Sequence, residues 1–222
     1  MSTTTYPDPA LAGTAVARDR TREVFGQVMG YVAVTVGFAA LGAYLGRDLS
    51  GATGLALFIA AFAAIFGLNA AVAAGHRQLA IGLLFGLGLV LGLAVAPVIA
   101  DYADADPSAL WQAAGITAAF VAALGAYGYA TRRDLSGWTR TLSWALLVLI
   151  GLGIVAIFVS IPAGNVIYAV VGLAIFGGFT VIDFNRVRQA DDQSSVAIAA
   201  SIFLDVFNVF LLVLDLFGGR RD

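Results

Sequence analysis

The sequence predicts an all-α integral membrane protein, a bundle of seven transmembrane helices. Hydrophobic residues make up 60% of the 222-residue chain and charged residues only 12%, whereas a soluble domain carries about 25% charged residues. The apolar residues are gathered in seven runs of about 20 residues, the length at which a helix crosses a bilayer. The segments between the runs are too short to form a soluble domain.

The seven predicted spans follow one another with short breaks between them. The spans cover 24–46, 51–74, 78–100, 109–131, 138–161, 165–184 and 196–217. The breaks hold charged, glycine or proline residues, and they cover 47–48, 75–77, 101–107, 132–137, 162–164 and 186–195. We therefore expect one transmembrane domain over 23–217, with a polar, disordered tail over 1–22 and a short C-terminal tail over 218–222.

The arginine distribution predicts a cytoplasmic N-terminus. All basic residues are arginines, and an inside N-terminus places nine of the twelve in the N-terminal tail and the second, fourth and sixth connections. Basic residues accumulate on the cytoplasmic side of membrane proteins. Arg220 and Arg221 would then lie outside, which argues weakly for a cytoplasmic C-terminus and leaves the side of that terminus open.

Composition excludes several classes of function. The chain has no cysteine, so disulfides, thiol catalysis and cysteine-ligated metal clusters are excluded. It has no lysine, so it is not a retinal Schiff-base protein. His76 is the only histidine, and one subunit therefore cannot build a multi-histidine metal site. The net charge of −2 does not indicate a nucleic-acid partner, and we expect no cofactor.

Two aspartates near the C-terminus are the main candidates for function. Asp205 lies inside the last span, on one helical face with Asn208, and Asp183 lies near the end of the sixth span. A carboxylate in the middle of a membrane helix costs about 2.5–3.5 kcal/mol to insert, so it indicates a function by default. Adjacent spans are antiparallel, and both aspartates lie towards the connection between them. Contact requires a tilted or later-starting last helix, because Asp205 lies deeper.

Asp183 admits two interpretations. It is either an interfacial acid paired with Arg186, three residues later, or an inward-facing acid that meets Asp205. Two carboxylates that meet in a low-dielectric site titrate as one unit, because they cannot both ionise cheaply. Such a pair can act as a pH switch. When ionised it offers oxygen ligands to Ca²⁺, too few for tight binding but suited to transient passage.

The other polar residues within or beside the spans have simpler explanations. Asn69 is expected to hydrogen-bond between helices, and His76 and Arg77 are expected to mark a connection, with pairing of Arg77 to the aspartates as an alternative. Asp215 is expected at the membrane interface. Glycines four residues apart predict faces where helices pack closely, and they form three pairs: Gly26/Gly30, Gly82/Gly86 and Gly88/Gly92.

Three stretches of the sequence show a family resemblance. They read ATRRDLS at 130–136, GLAIFGGFTVIDFNRVR at 172–188 and SIFLDVFNVFLL at 201–212. In order, placement and spacing, the last two are similar to the signatures around the two aspartates of the Bax inhibitor-1 family, the transmembrane Bax inhibitor motif proteins. The hydropathy profile agrees over 22–217, and the resemblance is greatest to the short bacterial members.

The resemblance implies a seven-helix bundle with the last helix at its centre. It also implies a pH-sensitive Ca²⁺ leak channel, here in a bacterial inner membrane, with lipid, Ca²⁺ and protons as partners. No protein partner is indicated. In the family a di-aspartyl pair senses protons, and its matches are Asp183 and Asp205.

The sequence departs from the family pattern at two places. The signatures carry a tyrosine before each acid region, where this chain has Ile182 in the sixth span and a Phe-Leu pair in the seventh. Bacterial relatives can place an arginine at the end of the second span that bonds to the aspartates. That position falls at about Ala74, with Arg77 three residues later.

Other functions could use the same aspartates. One is a proton-coupled transporter for a small solute, although the sequence shows no inverted repeat or pair of proline-broken helices. Another is an intramembrane aspartyl protease, which also needs two aspartates on neighbouring helices. Its Gly-x-Gly-Asp signature is absent, since Ile202, Phe203 and Leu204 precede Asp205. A structural or partner-regulating role is a further alternative. We expect a protein that is not an enzyme.

Overall fold

A computed structural model describes residues 9–49, 51–156 and 164–218, and in these residues it is helical with no strand. The helices are α1 (Pro9–Leu45), α2 (Gly51–Ala73), α3 (Arg77–Ala105), α4 (Pro107–Ala130), α5 (Ser136–Ala156), α6 (Gly164–Val187) and α7 (Ser195–Gly218). Each contains a stretch long and apolar enough to cross a membrane. The predicted seven-helix fold is confirmed.

Two helices extend well beyond the predicted spans. α1 begins at Pro9 and so continues into the segment expected to be a disordered tail; this segment is rich in alanine, and proline is well tolerated at the first helical position. α3 runs through most of the expected acidic connection and ends at Ala105, so only Asp106 separates it from α4. The predictions for 1–8, for 157–163 and for the terminal arginines at 220–221 lie outside the described residues.

The last helix lies at the centre of the bundle, as the resemblance implied. α7 contacts α1, α2, α3, α4 and α6, whereas α5 contacts α6 alone among the described helices. Side chains on several sides of α7 are buried, including Ile202, Phe203, Val209 and Leu214. Burial on several sides means that other helices surround α7. Any shift of α7 therefore changes its packing against most of the bundle.

One of the three predicted glycine pairs brings two helices into close contact. A methyl group on Gly88 would overlap the Thr35 carbonyl group, and one on Gly92 would overlap that of Ala39, so glycine lets the α1 and α3 backbones touch. The glycines of the other two pairs have open space at the same point: Gly26, Gly30, Gly82 and Gly86. Spacing alone therefore predicted a packing face correctly for one pair.

Aspartate turns precede α5 and α7. The Ser194 N–H donates to Asp191 Oδ1 at 2.8 Å and its hydroxyl donates to the same atom at 2.6 Å. These donors, the hydroxyl first, lower the pKa of Asp191. The Ser136 N–H donates to Asp134 at 2.9 Å and lowers the pKa of that carboxyl in the same way. Because the folded-state pKa values are lowered, both turns are fully stabilised at neutral pH and lose this stabilisation only as the pH falls through those values.

Candidate functional site

The two aspartates lie on the facing sides of α6 and α7. Asp183 is 1% exposed and Asp205 is 4% exposed. They lie close enough for the charge of Asp183 to act on Asp205, although no hydrogen bond joins the two carboxyl groups in the described part of the chain. Asp183 also pairs with Arg186. Asp183 therefore has the ion pair of the first interpretation and the buried, inward position of the second.

A hydroxyl residue on each helix faces the aspartate of the other. Ser201 donates to Asp183 Oδ2, and the Thr180 hydroxyl lies beside the Asp205 carboxyl group. Ser201 precedes Asp205 by four residues and Thr180 precedes Asp183 by three, so each helix carries an acid and a hydroxyl on one face. α7 begins at Ser195, so a later start of this helix does not bring the acids together. Counted from the hydroxyl residues that face them, the acids are staggered by about 4.5–6 Å along the helix axes.

Asp183 has hydrogen-bond donors on both carboxylate oxygens. Arg186 Nη1 donates to Oδ1 at 3.1 Å, and the Ser201 hydroxyl donates to Oδ2. The second guanidinium nitrogen of Arg186, Nη2, donates to Thr139 Oγ1 on α5 at 3.2 Å. The Arg186 side chain is 48% exposed, so water reaches one side of this ion pair. Both oxygens of Asp183 therefore have a donor available to a negative charge.

Asp205 lies in different surroundings. Its Oδ2 is buried and has no hydrogen-bond partner. The Thr180 hydroxyl donates to the Phe176 carbonyl at 2.8 Å, so its oxygen lone pairs remain able to accept a hydrogen bond. A buried ionised carboxylate without donors is costly, whereas a protonated one can donate to a hydroxyl oxygen. These surroundings suit a protonated acid, and the two aspartates therefore differ in the hydrogen-bond donors that each site offers to a negative charge.

A cavity of about 350 Å³ leads to Asp183 from the end of the bundle that carries the α6–α7 connection. It lies between α2, α3, α6 and α7. Its polar lining is Asn69, Asp183, Arg186, Ser194 and Ser201. Along α7 it extends from Ser194 to Leu204, the residue before Asp205, which is about 15 Å of helix. Water and small ions can therefore approach Asp183 from this end.

Beyond Asp205 the bundle holds a buried apolar cluster. Val209, Val213 and Leu214 of α7 are buried in one cluster with Ala109 and Ala113 of α4. The Tyr102 hydroxyl of α3 donates to the Leu214 carbonyl at 3.1 Å and ties α3 to α7 at this level. An ion that passes the aspartates must cross this cluster. The conformation described is thus closed on that side.

Comparison with known proteins establishes the family. A family model described as "Inhibitor of apoptosis-promoting Bax1" matches residues 21–222. The chain belongs to the Bax inhibitor-1 family. The match covers α2 to α7 and most of α1, and it confirms the resemblance found in the signatures around Asp183 and Asp205.

The relatives of this Bax inhibitor-1 family protein include several bacterial proteins. An uncharacterized protein of Helicobacter pylori is 28% identical over 166 residues, which cover 74% of this chain and 71% of the relative. Inner membrane protein YbhL of Escherichia coli is 26% identical over 178 residues and 75% of each chain. A membrane protein of Vibrio cholerae is 27% identical over 180 residues, 72% of this chain and 81% of the relative. This family member is a membrane protein.

Only one of the three predicted supporting residues of this Bax inhibitor-1 site reaches the aspartates. Arg186 bonds to Asp183, as described above. Arg77 is exposed and donates to the Tyr31 hydroxyl at 3.3 Å, so it does not take the place of the arginine that bacterial relatives bring to the pair. Asn208 donates to the Leu204 carbonyl of its own helix at 2.7 Å. Its side chain is thus bonded away from the aspartates.

The remaining polar residues in the spans mostly follow expectation. Asn69 donates to the Ile65 carbonyl of its own helix at 2.9 Å, so the predicted bond between helices is wrong, because the short amide side chain reaches its own backbone first. Asp215 is exposed near the end of α7, and His76 lies in the α2–α3 connection.

Four polar residues of the site were not predicted: Thr139, Thr180, Asn185 and Ser201. Helical spacing from the two aspartates could have found Thr180 and Ser201, since they lie three and four residues away on the inward faces. No spacing rule points to Thr139, because it lies on another helix. Asn185 follows Asp183 by two residues and so lies on a different face of α6.

Replacing Asn185 by leucine is expected to lower the free energy of unfolding by about 1–3 kcal/mol, the cost of unpaired buried polar groups. Its buried amide donates to the Gly128 carbonyl at 3.3 Å and to the Thr131 carbonyl at 2.8 Å, at the end of α4. Arg188 also donates to the Thr131 carbonyl at 2.8 Å, so the Gly128 carbonyl is the acceptor that loses its side-chain donor. Denaturation in mixed micelles would measure the change. Asn69→Leu, at an exposed site, is the control, and equal effects of both variants would contradict the prediction.

Proposed function

We propose that this protein is a pH-sensitive leak channel for Ca²⁺ and similar cations, gated by protonation of the Asp183–Asp205 pair. The observation that carries the proposal is a pair of buried carboxyl groups, one of which, Asp183, lines a partly polar cavity, with an apolar cluster beyond. An ionisable residue within a membrane indicates a site on an ion or proton pathway. The family resemblance points to the same function.

The pair suits a cation in passage. Two carboxylates and the Ser201 hydroxyl supply fewer oxygens than the six to eight that Ca²⁺ ordinarily takes. Among the described residues, no three His, Cys, Asp or Glu side chains come together as a metal site. Ca²⁺ is therefore proposed as a permeant ion that occupies the pair briefly, with water completing its shell.

Protonation would bias the packing of α7. Two ionised carboxylates on facing helices repel each other, and a proton on Asp205 removes this repulsion and adds a bond to Thr180. α7 contacts five helices, including α3 and α4 on the closed side. A small change at the pair can therefore be transmitted to the apolar cluster, whose two packings would be the closed and open states.

Localisation is part of the proposal. YbhL is named an inner membrane protein, and the arginine distribution favours a cytoplasmic N-terminus. We place the protein in a bacterial inner membrane, with the cavity open to the cytoplasm. We propose no enzymatic activity; cleavage of a helical reporter peptide that is lost in Asp183→Ala would contradict this.

Ca²⁺ flux into dye-loaded proteoliposomes tests the function directly. We expect purified protein to pass Ca²⁺ down its gradient at a rate that depends on pH when it is measured from about pH 6 to pH 8, because burial of two neighbouring carboxyl groups couples their protonation to pH. A proton gradient should not drive accumulation of a small solute against its own gradient; if it does, the protein is a transporter. Absence of Ca²⁺ flux at every pH, with folded protein present, would refute the leak.

A further inference from the structure

Arg186 occupies the place beside Asp183 that an entering cation would take. Its Nη1 lies 3.1 Å from Asp183 Oδ1, and its half-exposed side chain lines the cavity. Among the described lining residues it is the one with a positive charge. An ion that reaches Asp183 through the cavity meets this guanidinium first. The guanidinium and the entering ion would bind the same carboxylate oxygen.

The other side of the guanidinium is bound to α5. Arg186 Nη2 donates to Thr139 Oγ1 at 3.2 Å, and Thr139 lies in the first turn of α5, three residues after Ser136. α5 contacts only α6 among the described helices. The neighbouring Arg188 donates instead to the Thr131 carbonyl at 2.8 Å. The Arg186–Thr139 bond therefore connects the aspartate pair to the helix with the fewest neighbours.

We infer that Arg186 is a tethered cation that competes with the permeant ion for Asp183, and that Thr139 is a positioning residue that holds it there. This inference rests on the proposed function. Two cations cannot share one carboxylate oxygen without strong repulsion, so an ion bound at Asp183 displaces the guanidinium. Displacement breaks the bond to Thr139, so the start of α5 can move relative to α6. This movement is the release of α5. Arg186 thus sets the Ca²⁺ concentration at which the aspartate pair binds an ion.

Thr139→Val tests the inference, because valine keeps the branched shape and removes the hydroxyl acceptor. The Ca²⁺ concentration at half-saturation should fall by a factor of about 2 to 10, since one hydrogen bond no longer favours the unoccupied state. Arg186→Gln should lower it further. Thr139→Ser keeps the hydroxyl and should match the wild type. Equilibrium dialysis of radioactive Ca²⁺ against purified protein in detergent measures binding without flux.

A distance measurement tests the release of α5. The chain has no cysteine, so spin labels can be attached to two introduced cysteines without background. Phe62 on α2 and Val148 on α5 are exposed and suit labelling. Ca²⁺ should change the distance between these labels in the wild type. In Thr139→Val the distance without Ca²⁺ should already resemble that of the Ca²⁺-bound wild type, and identical distances under all conditions would overturn the release of α5.

The outcomes separate this inference from the leak itself. An unchanged half-saturation in both Thr139→Val and Thr139→Ala, with folded protein, overturns the inference even if flux depends on pH. The expected shift in binding without any flux supports the competition and refutes the leak. No binding by the wild type up to about 10 mM Ca²⁺, above the range of ordinary protein sites, overturns the inference, whereas the flux measurement alone decides the leak.

Discussion

Asp205→Asn is expected to make Ca²⁺ flux independent of pH. Asparagine has nearly the shape of aspartate but does not titrate, and its amide can donate to Thr180 as a protonated carboxyl group would. The variant therefore keeps α7 in the packing of the protonated pair at every pH. Flux into proteoliposomes at about pH 6, 7 and 8 would measure the effect, and the several-fold change expected in the wild type should disappear.

Asp215→Asn is the matched control for this variant. It makes the same change on the same helix, but Asp215 is exposed near the end of α7 and far from the pair. We expect it to keep the pH dependence of the wild type. Asp205→Asn should also be at least as stable as the wild type, because it removes the unpartnered carboxylate oxygen. A pH profile that Asp205→Asn leaves intact would exclude Asp205 as the proton sensor.

Gly92→Ala is expected to produce the largest loss of stability among conservative changes in the spans. An added methyl group overlaps the Ala39 carbonyl group of α1, which is backbone and cannot move aside alone. α1 and α3 must therefore separate, and overpacking of this kind costs about 1–3 kcal/mol or more. The free energy of unfolding in mixed micelles would measure the loss.

Gly82→Ala provides the comparison on the same helix. Gly82 belongs to a pair with the same four-residue spacing, but nothing lies within 4 Å of an added methyl group. Alanine is the better helix former, by about 0.5–1 kcal/mol, so this variant should be neutral or slightly more stable. Equal destabilisation by both changes would mean that helix formation, and not contact between α1 and α3, decides the result.

Hydropathy predicted the fold, because each span must satisfy its backbone hydrogen bonds within a helix long enough to cross the bilayer. The predicted positions of the helix ends were less accurate, since Ala-rich segments such as the one around Tyr102 continue a helix outside the apolar run. The aspartate pair was predicted for an energetic reason, the cost of placing a carboxylate in lipid. That argument identifies the residues but does not place them relative to each other.

The rest of the site depends on how the helices are rotated about their axes. Ser201 and Thr180 attract no notice in a membrane span, since a hydroxyl can bond to its own backbone and costs little. Thr139 becomes part of the site only because α5 turns that face towards Arg186. Arg77 and Arg186 are both close to a span end in sequence. Only the packing of α6 against α7 and α5 shows which of the two reaches Asp183.

The staggered pairing of α6 with α7 also bears on biosynthesis. The two acids and the two hydroxyl residues that face them all lie between Thr180 and Asp205 in the chain. A newly made hairpin of these two helices can therefore satisfy much of the polarity of Asp183 while it enters the bilayer, before it docks with the other five helices. Because α6 and α7 leave the ribosome after α1 to α5, the protein can deliver its two intramembrane acids as one self-paired unit to helices that are already in the bilayer.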